Sequence, residues 1–188
     1  MKYENVFTLL EEITIKNIDR TAVGIKTSKG WNEFTYKKLG LLSRHLACYL
    51  IEDLQIGKGE KLAILSESKP EYGACVFGSV LAGLTTVPLD YKLTIYELKS
   101  ILSDCEPTVL LTSESAMDRA LELKNSIPSI KHLIVMDDCE SEFETLYTIP
   151  QAYSTKWRRR PLRDTAFIIY TSGTTGAPKG VEISFKNI

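Results

Sequence analysis

The residues most suited to chemistry lie in one short loop, residues 170–180, with the sequence YTSGTTGAPKG. The loop follows an apolar run at residues 166–169 that is typical of a buried strand. Its glycines let the backbone approach a ligand closely, because no Cβ stands in the way. Lys179 adds a positive charge, and hydroxyl groups add donors beside the backbone N–H groups. These hydroxyls belong to Thr171, Ser172, Thr174 and Thr175. The combination predicts a loop that binds the phosphate groups of a nucleotide.

The loop does not follow the Walker A pattern, which has four residues between two glycines, then Lys and Ser or Thr. Here only two residues separate Gly173 from Gly176, and Gly180 follows the lysine. A surface turn of small residues is the alternative interpretation, since turns also favour Gly, Ser, Thr and Pro. A lysine and several hydroxyls exceed what a turn requires, which favours phosphate binding.

Residues 164–181, DTAFIIYTSGTTGAPKGV, resemble the signature of the adenylate-forming enzymes. That superfamily includes acyl-CoA synthetases, the adenylation domains of peptide synthetases, and luciferases. Three further segments resemble family segments in the same order along the chain: FTYKKL at residues 34–39, GEKLAIL at 59–65 and VLAGLTTVPLD at 80–90. The chain is similar to the amino-terminal part of an acyl-CoA synthetase or fatty-acid–CoA ligase.

The resemblance implies a reaction in two steps. A carboxylic acid, expected to be a fatty acid, attacks the α-phosphate of ATP with Mg²⁺ and forms an acyl-adenylate and pyrophosphate. The thiol of CoA, or of an acyl carrier protein, then displaces AMP. The expected cofactors are therefore ATP, Mg²⁺ and CoA as the thiol co-substrate.

The resemblance also implies which residues bind the nucleotide. Backbone N–H groups and hydroxyls of the loop hold the β- and γ-phosphates, Lys179 acts as a mobile charge, and Thr171 reaches the Mg²⁺. The implied ligand set is Thr171, Ser172, Gly173, Thr174, Thr175, Gly176 and Lys179.

Two departures from the family pattern stand out. Phe185 occupies a position where the family commonly has histidine, and the family's later motifs do not occur in the chain. We therefore expect residues 1–188 to be an amino-terminal fragment that is inactive alone, with no carboxy-terminal domain. Its expected parts are 1–57 (a helix, a hairpin and a long helix), 58–150 (a βαβ sheet), 151–164 (a linker) and 165–188 (a strand, the loop and the start of a helix).

Composition restricts the remaining possibilities. The chain is 44% hydrophobic and 25% charged with a net charge of −1, which gives no reason to expect nucleic acid or an anionic membrane as a partner. No apolar run is long enough for an integral membrane segment, and the first residues lack a signal-peptide layout. The four cysteines lack metal-ligand spacing and are expected to be reduced thiols in a cytoplasmic protein, with a disulfide pair as the alternative. His45 and His132 are expected to be structural.

Periodicity predicts an α/β fold with a mostly parallel, doubly wound sheet flanked by helices. The expected strands of this sheet are 61–65, 85–88, 109–112, 133–136 and 166–170. Helices are expected at 5–16, 35–54, 70–82, 115–126 and after Thr94, which forms a capping-box pattern with Glu97. Strands at 21–25 and 31–34 should form a hairpin. Ser141 with Glu144, and Ser184, are further expected helix caps.

Several alternatives stay open. The arginines of residues 157–163 either attract the phosphates of ATP or CoA, or belong to a solvated connector, which charge runs favour. Pro88 and Asp90 are expected to shape a turn. The aromatic residues Tyr72, Phe77 and Tyr91 are expected in the core, with an acyl pocket as the alternative. For the whole protein, the alternatives are an adenylation domain that loads an amino or aryl acid onto a carrier protein, and a non-catalytic phosphate-binding module.

Overall fold

A six-stranded sheet with helices on both faces forms the centre of the computed structural model, which describes residues 6–28, 30–150, 157–171 and 178–188. A two-stranded hairpin, β1 and β2, precedes this sheet in the chain. The strands are β1 Thr21–Thr27, β2 Gly30–Thr35, β3 Lys61–Leu65, β4 Thr85–Leu89, β5 Val109–Thr112, β6 His132–Val135, β7 Thr165–Thr171 and β8 Lys179–Ser184. The helices are α1 Val6–Lys16, α2 Tyr36–Cys48, α3 Pro70–Leu81, α4 Ile95–Cys105 and α5 Met117–Ser126.

The strand order in the large sheet is β6-β5-β3-β4-β7-β8. Every neighbouring pair is parallel except β7 and β8, which are antiparallel. The prediction of a mostly parallel sheet is confirmed. The antiparallel pairing of β8 was not predicted, because an apolar run does not reveal its partner strand.

The two faces of the sheet carry separate cores. Alternate residues of β3 point to opposite faces: Leu62 and Ile64 join α2 and α3 in one core, while Ala63 and Leu65 join α4 and α5 in the other. All four of these side chains are fully buried. Burial on both faces explains why the strand is a continuous apolar run rather than an alternating one, and it confirms the doubly wound arrangement.

The ends of several helices follow the sequence signals. Thr35 caps α2 by accepting a hydrogen bond from the Lys38 N–H at 3.2 Å. Thr94 and Glu97 form the predicted capping box at the start of α4. A π-helical turn at Tyr49–Asp53 continues α2, and a 3₁₀ turn at Glu114–Ala116 precedes α5. Asn5, the first residue of the helix expected at 5–16, and Lys29, between the two strands of the hairpin, lie outside the described residues.

Two predicted helix starts are wrong. Beyond Ser141, the segment pairs with the sheet edge: the Val135 N–H donates to Glu144 O at 2.9 Å and the Leu146 N–H to Val135 O at 2.7 Å. Ser184 is the last residue of β8, and the two N–H groups after it donate to distant carbonyls: Phe185 to Asp164 O at 3.0 Å and Lys186 to Leu162 O at 2.8 Å. In both places, hydrogen bonds to more distant residues replace the helical ladder that the local cap predicted.

The prediction of a solvated connector is wrong for Arg158 and Arg160. Arg158 donates to Ile56 O, and its own N–H bonds Leu81 O at 3.1 Å. Its backbone also lies against Gly83, where a Cβ would stand 2.6 Å from Arg158 O and φ is +71°. These contacts lie before β3 and β4 begin, at the amino edge of the sheet, and Arg158 therefore anchors the connection there.

Arg160 joins the starts of two neighbouring strands. Its Nη1 donates to Thr85 Oγ1 at 3.0 Å and to Thr165 O at 3.2 Å, while its Nε pairs with Asp164 at 3.1 Å. Its guanidinium also lies 5.6 Å from the ring centroid of Phe185, which is buried. Phe185 therefore packs beneath this arginine, at the position where the family commonly has histidine.

The four cysteines and His45 are buried or half-buried. Cys48, Cys75 and Cys105 are buried free thiols, and Cys139 is a half-buried free thiol. His45 is buried in α2, and burial lowers its pKa. Among the helices that the structure describes, none has the length and apolarity needed to cross a bilayer.

Replacing Arg160 with alanine should lower the free energy of unfolding by about 2–3 kcal/mol, because a largely buried set of acceptors loses its charged donor. Urea titration measures this change. Arg159→Ala is the matched control, since Arg159 is exposed, and should change stability by less than about 0.5 kcal/mol. Equal effects of the two substitutions would contradict the anchoring role of Arg160.

Candidate functional site

The predicted phosphate loop connects β7 to β8, and the structure fixes both of its ends. Thr171, the last residue of β7, lies directly opposite Lys179, the first residue of β8, in the antiparallel register. Directly opposed residues on antiparallel strands place their side chains on the same face. The hydroxyl of Thr171 and the ammonium group of Lys179 therefore lie side by side at the base of the loop.

The remaining predicted ligands cannot be placed in the same way. Ser172, Gly173, Thr174, Thr175 and Gly176 lie outside the described residues, so their role as phosphate ligands stays a prediction.

The position of the loop in the sheet follows from the pairing of β7. This strand runs parallel to β4, with Phe167 opposite Thr86. Its last residue, Thr171, therefore faces the same edge as the carboxyl end of β4. In doubly wound sheets, ligands bind beyond the carboxyl ends of the strands, and the loop leaves the sheet at this edge.

The charge of Lys179 is available to a ligand. Its side chain is exposed, and it forms no ion pair with any residue of the part of the chain that is described. Thr171 is exposed as well. A lysine without a carboxylate partner keeps its full attraction for an incoming phosphate group.

Mg²⁺ would enter this site together with the nucleotide. The hydroxyl oxygen of Thr171 is a hard donor of the kind that Mg²⁺ accepts, and Mg²⁺ takes most of its other ligands from phosphates and water. Within the described ranges, no group of three His, Cys, Asp or Glu side chains is arranged to hold a metal ion. The hydroxyl of Thr171 is thus one donor at the base of the loop that suits a metal ion of this kind.

The residue pair beneath the base of the loop is Tyr170 and Gly180. The ring of Tyr170 lies against Gly180, where a Cβ would stand 3.1 Å from Tyr170 Cζ and 2.8 Å from Ile168 Cγ2. The hydroxyl of Tyr170 donates to Asp104 Oδ2 in the last turn of α4. Burial and the hydrogen bond to Asp104 raise the pKa of Tyr170. This contact was not predicted from the sequence.

A second concave feature lies at the carboxyl ends of β3 and β4. Chain connections leave these two strands toward opposite faces, α3 toward the first core and α4 toward the second. Such a point in a doubly wound sheet leaves a crevice. Here the cavity has a volume of about 540 Å³. Its lining residues are Ser66, Glu67, Ser68, Lys69, Tyr72, Gly73, Leu89, Asp90, Tyr91 and Lys92.

Asp90 and the aromatic residues singled out in the sequence divide between two cavities. Tyr72 and Tyr91 line this cavity while also packing against the two cores. Phe77 instead lines a smaller apolar cavity of about 250 Å³ beside α1 and the β1–β2 hairpin. Asp90 accepts a hydrogen bond from the Lys92 N–H at 2.9 Å, which confirms its turn-shaping role.

The charges lining the cavity are largely satisfied within the protein. Lys69, whose side chain is 15% exposed, pairs with Asp137 and lies 3.8 Å from Glu67. Glu67 accepts hydrogen bonds from Ser113 at 2.6 Å and from Ser115 at 2.8 Å. These contacts join the loops after β3, β5 and β6. Sequence reasoning missed this network, although charged residues directly after a buried strand are the signal that could have revealed it.

Burial disfavours the charged forms of Glu67 and Lys69, but their hydrogen-bond and charge partners favour those forms more strongly. Burial raises the pKa of Glu67, but hydrogen bonds from Ser113 and Ser115 and the nearby Lys69 lower it below its usual value overall. Burial lowers the pKa of Lys69, but the bond to Asp137 and its charge raise it overall. Both groups are therefore held in their charged forms, and Lys69 is engaged in structure more than in ligand binding.

Comparison with known proteins identifies the family. The sequence model of the AMP-binding enzyme family matches residues 10–188, so the chain belongs to this family. The chain is 32% identical over 168 residues to the medium-chain-fatty-acid–[acyl-carrier-protein] ligase JamA of Moorena producens, covering 84% of this chain and 26% of that protein. It is 31% identical over 179 residues to the crotonobetaine/carnitine–CoA ligase of Salmonella enteritidis, covering 90% of this chain and 34% of that protein.

Solved structures agree on the fold. The anthranilate CoA ligase AuaEII, in complex with anthranoyl-AMP, superposes with a TM-score of 0.82 at 23% identity, covering 98% of this chain and 35% of that chain. The chain thus spans about a quarter to a third of the length of these proteins. Its fold is the amino-terminal part of the adenylate-forming fold, as the sequence predicted.

Lowering the pH should reduce the stability of the fold, in part because Glu67 becomes protonated. Because its pKa is lowered on folding, it stabilises the fold above its unfolded pKa of about 4.5, and this contribution is lost as the pH falls through the folded value. Glu67→Gln should therefore reduce the loss of stability between pH 7 and pH 3.5. The expected difference is about 1 kcal/mol or less, since solvent screens a partly exposed group.

Urea unfolding at the two pH values measures this effect. Glu142→Gln is the matched control, because Glu142 is exposed and has no hydrogen bond to any described residue. An identical pH dependence in the wild-type protein and Glu67→Gln would show that the serine contacts do not stabilise the Glu67 carboxylate.

Proposed function

We propose that this chain supplies the phosphate-binding part of an enzyme that activates a carboxylic acid with ATP and transfers the acyl group to a thiol. The reaction would proceed through an acyl-adenylate, and CoA would be the thiol co-substrate. The observation that carries the proposal is the pairing of Thr171 with Lys179 at the base of the loop, in a chain that belongs to the AMP-binding enzymes.

The geometry suits the first step of this reaction. The carboxylate that attacks the α-phosphate is repelled by the negative charge of the triphosphate. Lys179 would neutralise part of that charge at the β- and γ-phosphates, while donors of the loop hold the same oxygens. Charge also develops on the departing pyrophosphate in the transition state, where a preorganised cation is most effective.

Thr171 and Lys179 would have different roles at the base of the loop. Thr171 would bind the Mg²⁺ that arrives with ATP, and Lys179 would follow the phosphates with its flexible side chain. Both residues belong to paired strands of the sheet, and this pairing fixes the positions of their backbone atoms. Ser172, Gly173, Thr174, Thr175 and Gly176 would complete the phosphate site.

A fatty acid is the proposed acid substrate. The support is that two relatives over most of this chain are named for fatty acids: the Moorena producens ligase, and a Mycobacterium marinum medium/long-chain-fatty-acid–CoA/3-oxocholest-4-en-26-oate–CoA ligase that is 28% identical. We also propose that residues 1–188 form the amino-terminal part of a larger adenylation domain, with 165–188 as its phosphate-binding segment.

An acyl carrier protein is the second candidate acceptor. The observation that favours it is the similarity to JamA, whose name specifies an acyl-carrier-protein acceptor. Incubating the full-length protein with ATP, a medium-chain fatty acid and either CoA or a phosphopantetheinylated carrier protein distinguishes the two acceptors. Thioester formation on CoA alone supports the main proposal, and formation on the carrier alone supports the second.

Substituting Lys179 with alanine in the full-length protein should slow adenylate formation at least tenfold, because a charge on a ligand loop stabilises the transition state. The thermal midpoint should change by less than about 1 °C, because an exposed loop charge contributes little to folding. Carboxylate-dependent ATP–pyrophosphate exchange measures the rate.

The matched control for this experiment is Lys186→Ala. Lys186 is also an exposed lysine in the last residues of the chain, but its backbone rather than its side chain is bonded, to Leu162 O. This variant should keep the wild-type exchange rate. An unchanged rate in Lys179→Ala would refute the assignment of Lys179 to the phosphates.

A further inference from the structure

We propose that Tyr170 is a positioning residue for the phosphate loop, acting through its hydrogen bond to Asp104. The bond would fix the direction in which β7 delivers Thr171 to the nucleotide. This inference rests on the proposed function, because it assigns Tyr170 a role in that same site.

The position of Tyr170 in the hairpin suggests the role. Tyr170 and Gly180 form the cross-strand pair next to Thr171 and Lys179, so any rotation of their backbone moves both ends of the loop. Successive side chains of a strand point to opposite faces. Tyr170 therefore holds one face of the hairpin while Thr171 and Lys179 present their groups on the other.

The β7–β8 hairpin requires a further restraint at the end that carries the loop. β8 is the edge strand of the sheet, and among the described residues it pairs with β7 alone. The parallel register that attaches β7 to β4 is set at Phe167, three residues before Tyr170. An edge hairpin attached at its base is free to twist at its tip unless a further contact restrains it.

Asp104 provides a rigid partner for that contact. It lies in the last turn of α4, a helix fixed at its start by the capping box of Thr94 and Glu97. Leu98 and Leu102 of the same helix are fully buried in the second core, which the Tyr170 ring also joins. A hydrogen bond from a tyrosine hydroxyl to a carboxylate is directional and stronger than one between neutral groups.

Gly180 leaves room for the ring of Tyr170, because it has no Cβ. A Cβ at this position would meet both Tyr170 and Ile168. The ring can therefore lie across the edge strand and direct its hydroxyl toward α4. The bond ties the hairpin to the helix layer without using any group on the face that binds the nucleotide.

Removing the bond should affect ATP more than the acid. In the full-length protein, Tyr170→Phe and Asp104→Ala should each lower kcat/KM for ATP about tenfold, since small misplacements of binding groups are costly. KM for the carboxylic acid should stay unchanged. Asp104→Asn retains an acceptor oxygen and should recover most of the loss.

Measuring the stability of the variants distinguishes a positioning role of the Tyr170–Asp104 bond from a merely structural one. Asp104 is exposed and lies at a helix carboxy-terminus, where a negative charge is unfavourable. Asp104→Ala should therefore unfold at nearly the wild-type temperature while its kcat/KM for ATP falls. Tyr96→Phe is the matched control: Tyr96 lies on the same helix and is 82% exposed, and this variant should behave as wild type.

The double variant and hydrogen exchange complete the test. Tyr170→Phe combined with Asp104→Ala should lose no more than Tyr170→Phe alone, because Tyr170→Phe already removes the bond to Asp104 together with the contact of the hydroxyl with Cys105. Amide hydrogen exchange at residues 168–171 and 179–181 should accelerate in both single variants, with or without substrate. Additive losses, or unchanged exchange in those segments, would overturn the proposal.

The two proposals fail in different ways. If the wild-type protein shows no carboxylate-dependent ATP–pyrophosphate exchange, the proposed function fails and this inference loses its basis. If the wild-type protein is active and Tyr170→Phe and Asp104→Ala retain its kcat/KM for ATP, only the positioning role is refuted.

Discussion

The pairing of β7 with β4 is the constraint on which the candidate site depends. The chain must return from β6, at one end of the sheet, to β7 on the other side of β4. Thr85 Oγ1 donates to Thr165 O at 3.0 Å, and Arg160 bonds both residues. These contacts align the starts of two parallel strands, and their alignment sets the edge at which Thr171 and Lys179 emerge.

The fold could be predicted largely from the sequence because its central strands are buried on both faces. The strands at 61–65 and 109–112 were predicted to the residue, and the limits of the other three predicted strands of the large sheet to within one residue. The two wrong helix predictions concern Ser141 and Ser184, where a local cap pattern competed with distant backbone partners. Local patterns carry no information about such partners, and here those partners determined the structure.

The candidate site was predictable only where residue type alone is informative. Thr171 and Lys179 were identified from their chemistry, but their direct opposition depends on the register of β8. Arg160 was misjudged because charge runs usually face solvent, whereas its acceptor Thr85 lies far away in sequence. Tyr170 was overlooked because an aromatic residue at a strand end is typical of a core, and only the structure reveals Asp104 beside its hydroxyl.

We propose that Thr171 and Lys179 together receive the phosphates of ATP. A crystal structure of the full-length protein with ATP and Mg²⁺ would give the distance from Lys179 Nζ to the nearest phosphate oxygen. We expect a distance of about 3 Å to a β- or γ-phosphate oxygen, the length of a charge-assisted hydrogen bond. A triphosphate bound instead in the cavity beside Lys69 and Lys92, with Lys179 facing solvent, would contradict it.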